Sequence, residues 1–95
     1  MINSPLITHP DPRFKRLYFR GVHRGSKEMD IVLGHFAEAL LLQLTTEPLA
    51  TYERLLEEDD TTLWDWLTEK AAVPSEYREL IEMIRHSQLS AAGKR

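Results

Sequence analysis

The segment Arg24-Gly25-Ser26-Lys27-Glu28 places a guanidinium, a residue without a side chain and a carboxylate within five positions. A glycine lets another surface come close to the backbone, and the two charges can each form ion pairs. These residues therefore suit docking to another molecule. They also suit a purely structural role, in which Arg24 lies at a helix C-terminus, Gly25 ends that helix and Glu28 opens the next one.

The other chemically active side chains form no catalytic or metal-binding pattern. No two histidines lie four residues apart, as in a zinc-binding helix; they are His9, His23, His35 and His86. The chain has no cysteine, phosphate-binding loop or dinucleotide fingerprint. The acidic run at residues 57–60 lacks the spacing of a calcium loop and suits a solvated loop that caps a helix. We expect no catalytic residue, no metal and no stably bound cofactor.

The net charge of −3 is unevenly distributed along the chain. Residues 1–27 contain six Lys/Arg and one Asp, which gives +5, and the other 68 residues give −8. Such asymmetry indicates either an interaction face or a solvated helix with arginines on its outer side. An overall pI of about 5.8 argues against a nucleic-acid-binding module.

Length and composition predict a single globular domain over residues 1–95, since 42% of the residues are apolar and 28% charged. The longest apolar stretch, Phe36 to Leu44, is shorter than the ~20 residues that span a bilayer, so no membrane insertion is expected. Residues 1–10 lack a secretory pattern. Together with the family resemblance given below, this favours the cytoplasm of a bacterium, or the mitochondrial matrix if a presequence has been removed.

Helix-start patterns recur five times and strand patterns are weak, so the fold class is all-α, a compact bundle of about five short helices. The predicted starts are Asp11-Pro12, Ser26, Thr45-Thr46, Asp59-Asp60 and Pro74-Ser75. The second helix should reach about Leu44 and the third about Glu57. The helical core is expected at about 11–88, with flexible tails at 1–10 and 89–95.

Apolar residues at helical spacing predict the core. The second helix is the most apolar and is expected to be central. Trp64 and Trp66 lie about 200° apart on a helix, so one should pack inside and the other at the rim. An exposed tryptophan is a common interface anchor, but we favour Trp66 as a cover for the edge of a small core.

The combined pattern resembles the succinate dehydrogenase assembly factor family. The matching stretches are Arg16-Leu17-Tyr18, then His23-Arg24-Gly25-Ser26-Lys27-Glu28-Met29-Asp30, and later Tyr52 to Asp60 and Leu63-Trp64-Asp65-Trp66-Leu67. The resemblance covers about residues 13–88. His23, and Lys27 to Asp30, are most similar to the alphaproteobacterial branch.

The resemblance implies a five-helix fold and a function. Such a factor binds the flavoprotein subunit of succinate dehydrogenase, with fumarate reductase as a further client, and promotes covalent attachment of FAD to it. It is not itself an enzyme, and FAD is the cofactor of the partner. The family's Arg-Gly-x-x-Glu motif corresponds here to Arg24, Gly25 and Glu28, with His23 and Asp30 as neighbours. A monomer that binds no nucleic acid is expected.

A second interpretation of the residues remains open. The chain could be a small helical adaptor or regulator of an unrelated partner, including a nucleic acid bound through the basic first helix. Nucleic-acid binding would fall steeply with salt concentration, which distinguishes that version.

Overall fold

The computed structural model describes residues 5–93, and these residues form α-helices joined by short loops. Their order is α1 (Pro5–Thr8), α2 (Pro12–Val22), α3 (Lys27–Leu40), α4 (Thr46–Leu55), α5 (Asp60–Leu67) and α6 (Arg78–Gly93). Short 3₁₀ turns occupy Leu41–Gln43 and Ser75–Tyr77. No strand occurs in this part of the chain. The predicted all-α class and its five helices are confirmed, with α1 in addition.

Side-chain caps start α2, α3 and α5 where the sequence predicts them. A carboxylate oxygen of Asp11 accepts the Arg13 N–H at 3.0 Å, and Ser26 Oγ accepts the Met29 N–H at 3.3 Å. Asp59 caps α5 by accepting the Thr62 N–H at 2.8 Å. Each bond satisfies one of the backbone donors that the first helical turn leaves without an intrahelical acceptor.

Several boundaries differ from the prediction. The third predicted helix ends at Leu55 instead of near Glu57, and the fifth begins as a 3₁₀ turn at Ser75–Tyr77 and becomes α-helical only at Arg78. α3 ends at Leu40 instead of near Leu44, because Leu40 leaves the helical region at φ −132° and a 3₁₀ turn follows. The tighter turn directs Leu41 into the core with no exposed surface. At the other end of the chain, α1 buries Leu6 against the core, within residues predicted as a tail. A four-residue helix is too short to show periodicity in sequence.

The C-terminal helix extends further than expected, since α6 continues to Gly93. Residues 1–4 and 94–95 of the two predicted tails lie outside the described residues.

The core lies around α3, which packs against α2 on one side and α6 on the other. Its members are almost all apolar: Leu6, Phe14, Leu17, Met29, Leu33, Phe36, Ala37, Leu41, Leu44, Leu49, Tyr52, Leu55, Leu56, Leu63, Trp66, Tyr77, Leu80, Ile81 and Ile84. The predicted central helix is therefore confirmed. Among the residues described, no helix is long and apolar enough to cross a membrane.

The uneven charge is largely balanced inside the fold. Arginines of α2 and the loop after it pair with acids of α4, α5 and the loop between them: Arg13 with Glu53 at 3.1 Å, Arg20 with Glu57 at 3.2 Å and Arg24 with Asp60 at 2.5 Å. The acidic run thus neutralises the basic helix beside it. For Arg24 the charge serves the fold, whereas Arg13 and Arg20 remain partly exposed beside their partners.

Candidate functional site

The loop between α2 and α3 carries the Arg-Gly-x-x-Glu motif. Gly25 has φ +99°, a backbone conformation that L side chains rarely adopt. Apart from Gly25 and its two chain neighbours, no heavy atom of the described residues lies within 4 Å of the position that its Cβ would occupy. The turn therefore requires glycine for its backbone, while the space in front of it is open. Another molecule can reach the peptide groups of this turn directly.

Arg24 is turned inward and acts as an internal clamp. Its side chain is only 11% exposed. Nε donates to Asp60 Oδ1 at 2.5 Å and Nη1 to the Leu56 carbonyl at 2.9 Å, while Nη2 donates to the Glu58 carbonyl. The two carbonyls end α4 and begin its loop to α5, so one guanidinium fixes the motif loop to that connection.

Asp30 and Ser26 hold the same loop from the α3 side. Asp30 Oδ1 accepts the backbone N–H of Arg24 at 2.9 Å. Ser26 caps α3 and also donates from Oγ to Glu28 Oε1 at 3.2 Å. Because both ends of the turn are bonded, Gly25 is presented in one orientation.

His23 and Glu28 are exposed on either side of Gly25. The His23 ring stacks on Phe19, with ring centroids 5.4 Å apart and planes inclined by 6°. Phe19 is itself 37% exposed, so the stacked pair adds aromatic surface beside the motif. The structure thus brings all five predicted residues together, in the loop after α2 and the first turn of α3. His23, Gly25 and Glu28 are exposed, and Arg24 and Asp30 bond within the chain.

A shallow groove runs from the start of α3 to α5. It is lined by Ser26, Glu28, Asp60, Thr61 and Trp64. Trp64 is half-buried at this rim, whereas Trp66 is 7% exposed and packs on Tyr77 with ring centroids 5.6 Å apart. One tryptophan inside and one at the rim is confirmed, but Trp64, not Trp66, covers the edge.

Tyr52 supports this region from below. It is fully buried against Phe36, and its hydroxyl has no hydrogen-bond partner among the described residues. Burial raises the pKa of Tyr52 far above its usual value, against the weaker opposing effect of Arg24 and Arg20. The phenol is therefore neutral and acts as a packing group beneath the motif.

The acidic loop is electrostatically adapted to its capping role. Hydrogen bonds from Thr62 lower the pKa of the Asp59 carboxyl, and the Arg24 charge adds to the effect. Within the residues that the structure describes, no group of three or more potential ligands is arranged to hold a metal ion.

Sequence reasoning did not identify Asp60, Trp64 and Thr61 as parts of the site. Their contribution depends on α5 folding back beside the start of α3, and no local pattern reports that. The one available signal was charge: a basic helix and an acidic run in the same short chain are natural partners.

A second groove lies between α4 and α6, around Pro48, Arg54, Glu76, Glu79 and Met83. Arg54 and Glu76 are 3.5 Å apart across it. This groove contains none of the motif residues, so the motif loop is the stronger candidate site.

Comparison with known proteins identifies the family of the chain. A family model described as "Flavinator of succinate dehydrogenase" matches residues 15–88. The chain is 39% identical over 83 residues to the FAD assembly factor SdhE of Acetobacter pasteurianus, which covers 85% of this chain and 76% of that protein. No solved structure matches the chain.

A mitochondrial relative agrees as well. Over 73 residues the chain is 34% identical to succinate dehydrogenase assembly factor 2 of Dictyostelium discoideum, covering 76% of this chain and 52% of the relative. The chain thus spans about half the length of that protein. Because the family model covers most of the chain, including the motif loop and the groove, the chain belongs to the family of flavinators of succinate dehydrogenase.

Proposed function

We propose that this protein binds the flavoprotein subunit of succinate dehydrogenase and promotes the covalent attachment of FAD to it, without being an enzyme itself. Family membership and the names of the two relatives support the proposal. The structural observation that carries it is Gly25, whose backbone is held in one conformation and faces open space. Because glycine has no side chain, a partner surface can approach the backbone of this turn more closely than it could if any other residue stood at position 25.

The five motif residues divide into two roles. Gly25, Glu28 and His23 form the contact surface, because they are exposed in the loop after α2 and the first turn of α3. Arg24 and Asp30 are positioning residues, since their polar groups bond within the chain. The carboxylate and carbonyl acceptors of Arg24 belong to the chain itself, so its guanidinium acts within the fold.

The mechanism is conformational. Covalent flavinylation requires a side chain of the flavoprotein and the isoalloxazine ring to be aligned, and positioning alone lowers such barriers by several kcal/mol (~7–11 at best). A small helical protein that binds the aligned arrangement more tightly than the others increases its population. The fixed motif loop is suited to this because a rigid surface discriminates between arrangements.

The proposal extends to the setting of the protein. FAD is attached to the partner and is not held by this chain, which acts as a monomer. Fumarate reductase is a second client.

The higher identity to the Acetobacter relative than to the Dictyostelium one, 39% against 34%, favours a bacterial cytoplasm over a mitochondrial matrix. Nucleic acid is not a partner, since three arginines of the basic segment pair internally.

The test is co-expression with the flavoprotein subunit from the same organism, with covalent flavin read by fluorescence in a denaturing gel. Gly25→Arg should reduce flavinylation to the level without the factor, because the long side chain fills the open space. Gly25→Ala is the matched control. Both variants carry the same backbone strain, about 1–3 kcal/mol, but alanine adds only a methyl group.

We expect the two variants to melt at similar temperatures and Gly25→Ala to retain much of the activity. Equal flavinylation by Gly25→Arg and Gly25→Ala would show that the turn is not the contact surface. Equal flavinylation with and without the wild-type factor would refute the assembly role altogether.

A further inference from the structure

The groove beside the motif has the chemistry of a subsite for one cationic side chain. We propose that it binds an arginine of the flavoprotein, with the guanidinium paired to Glu28 and stacked on the ring of Trp64. This inference deepens the function proposed above and rests on it.

The charges that line the groove favour a cation as its ligand. Its lining contains two carboxylates, and that of Asp60 is already paired with Arg24. Glu28 is exposed and has no cationic partner within ion-pair distance among the described residues; the hydroxyl of Ser26 is its hydrogen-bond donor. In the loop between α4 and α5, Glu57 is paired with Arg20, but Glu58 and Asp59 form no ion pair among the described residues. Their charges add to that of Glu28 and disfavour an anion in the groove.

The aromatic wall selects the kind of cation. Trp64 lines the groove and is half-buried, so a ligand there meets its indole ring. Indole is the best of the aromatic rings for cation–π contact. A guanidinium is planar and weakly hydrated, stacks on aromatic faces and pairs with a carboxylate through two parallel bonds. A lysine ammonium could satisfy Glu28 but would gain less from Trp64.

The position of the groove fits the proposed docking. Ser26 and Glu28 belong to the same loop and first helical turn as Gly25, so an arginine in the groove would lie beside the close backbone contact. The hydrogen bonds of Arg24 to Asp30 and Asp60 fix the start of α3 relative to α5, on the other side of the groove. The partner would therefore make a close backbone contact at Gly25 and an ion pair with Glu28.

A double-mutant cycle measured with the flavoprotein subunit tests the subsite. We expect Glu28→Gln to raise the dissociation constant about tenfold, as for a close charge pair at an interface. Trp64→Leu should raise it about threefold. If both side chains hold one guanidinium, the double variant should lose about tenfold and not the product of the two effects. Glu79→Gln is the matched control, because Glu79 is also exposed in the first turn of a long helix.

A spectroscopic readout is independent of affinity. Fluorotryptophan incorporation gives two fluorine NMR signals, which Trp66→Phe assigns. The Trp64 signal should shift when the flavoprotein subunit binds, and the buried Trp66 signal should stay.

The outcomes separate the two claims. Binding of the subunit with multiplicative losses, or with an unmoved Trp64 signal, overturns the arginine subsite and leaves the proposed function standing. Failure of the wild-type protein to bind the subunit overturns both. Thermal melting of Glu28→Gln, an exposed side chain, verifies that its effect is not a folding defect.

Discussion

At the scale of single residues, the motif separates groups that hold the loop from groups that meet a partner. Arg24 carries a permanent positive charge, yet its side chain is nearly buried and bonded to Asp60 and two carbonyls. Gly25 contributes the exposed surface by having no side chain at all. Residue chemistry alone would have assigned the partner contact to the arginine.

A second residue-scale feature, the buried hydroxyl of Tyr52, gives a prediction of stability. The hydroxyl has no hydrogen-bond partner among the described residues, so Tyr52→Phe should leave the free energy of unfolding unchanged or raise it by about 1 kcal/mol. Tyr18→Phe is the control. Its hydroxyl bonds to Glu38, and its removal should lower stability. Urea unfolding at neutral pH measures both.

The same residue predicts a pH dependence. The folded-state pKa of Tyr52 is raised, so the unfolded chain loses this proton first, near pH ~10. The contribution of the neutral Tyr52 phenol to the free energy of unfolding is therefore fully present below that pH, and it declines as the pH rises above it. Tyr52→Phe should make this alkaline decline shallower. An identical decline in wild type and variant would contradict the buried, neutral phenol.

At the scale of elements, α2 and α3 approach closely because small residues lie between them. A Cβ at Gly21 would be 3.3 Å from both Leu33 Cβ and the Tyr52 hydroxyl, and one at Gly34 would be 3.2 Å from a Val22 methyl. Gly21 costs helix propensity, about 1 kcal/mol relative to alanine. The close packing above the core explains why the chain has glycine there.

The stability of Gly21→Ala shows whether the gain in helix propensity or the loss from overpacking is larger. The extra methyl group should gain about 1 kcal/mol of helix propensity but lose about 1–3 kcal/mol to overpacking, because Leu33 Cβ is fixed by the α3 backbone. We expect net destabilisation by up to ~2 kcal/mol, measured by chemical denaturation. Adding Tyr52→Phe removes one of the two contacts and should recover part of the loss. A variant more stable than wild type would indicate that the helices separate freely.

At the scale of the whole molecule, ion pairs join the first third of the chain to the acidic segment. Arg13–Glu53 and Arg20–Glu57 are largely solvated, whereas Arg24–Asp60 is mostly shielded. Arg85 performs a similar function at the far end of α5, where it donates to the carbonyls of Trp66 and Leu67 at 2.8 and 3.0 Å. Two arginines therefore hold both ends of α5 against the rest of the bundle.

Salt should distinguish the exposed pairs from the shielded clamp. Arg20→Gln should cost less than about 1 kcal/mol, and the effect should vanish in 1 M salt, where the screening length is about 3 Å. Arg24→Gln leaves Asp60 and two carbonyls without their donor and should cost about 2–3 kcal/mol, less than a fully buried pair.

Urea unfolding at low and high salt measures both variants. The Arg24→Gln loss should persist in high salt. Equal salt sensitivity of the two variants would contradict the clamp.

The sequence determined the helices and their starts, because caps and apolar periodicity are local properties. Asp11, Ser26 and Asp59 were identifiable from residue type and spacing, and each caps its helix. The motif loop was identifiable for the same reason, since glycine and flanking charges mark a turn. The early end of α3 at Leu40 was not, since packing of Leu41 overrides a helical pattern that continues in sequence.

Only the tertiary structure decided which motif side chains are free. Arg24 meets Asp60, 36 positions later in the chain, and the groove depends on Trp64 lying beside Glu28. Such contacts are set by how α4 and α5 fold back on α2, and sequence spacing carries no information about them. Whether a charge serves the fold or a partner depends on which opposite charge is brought within bonding distance, and that is a property of the packed helices.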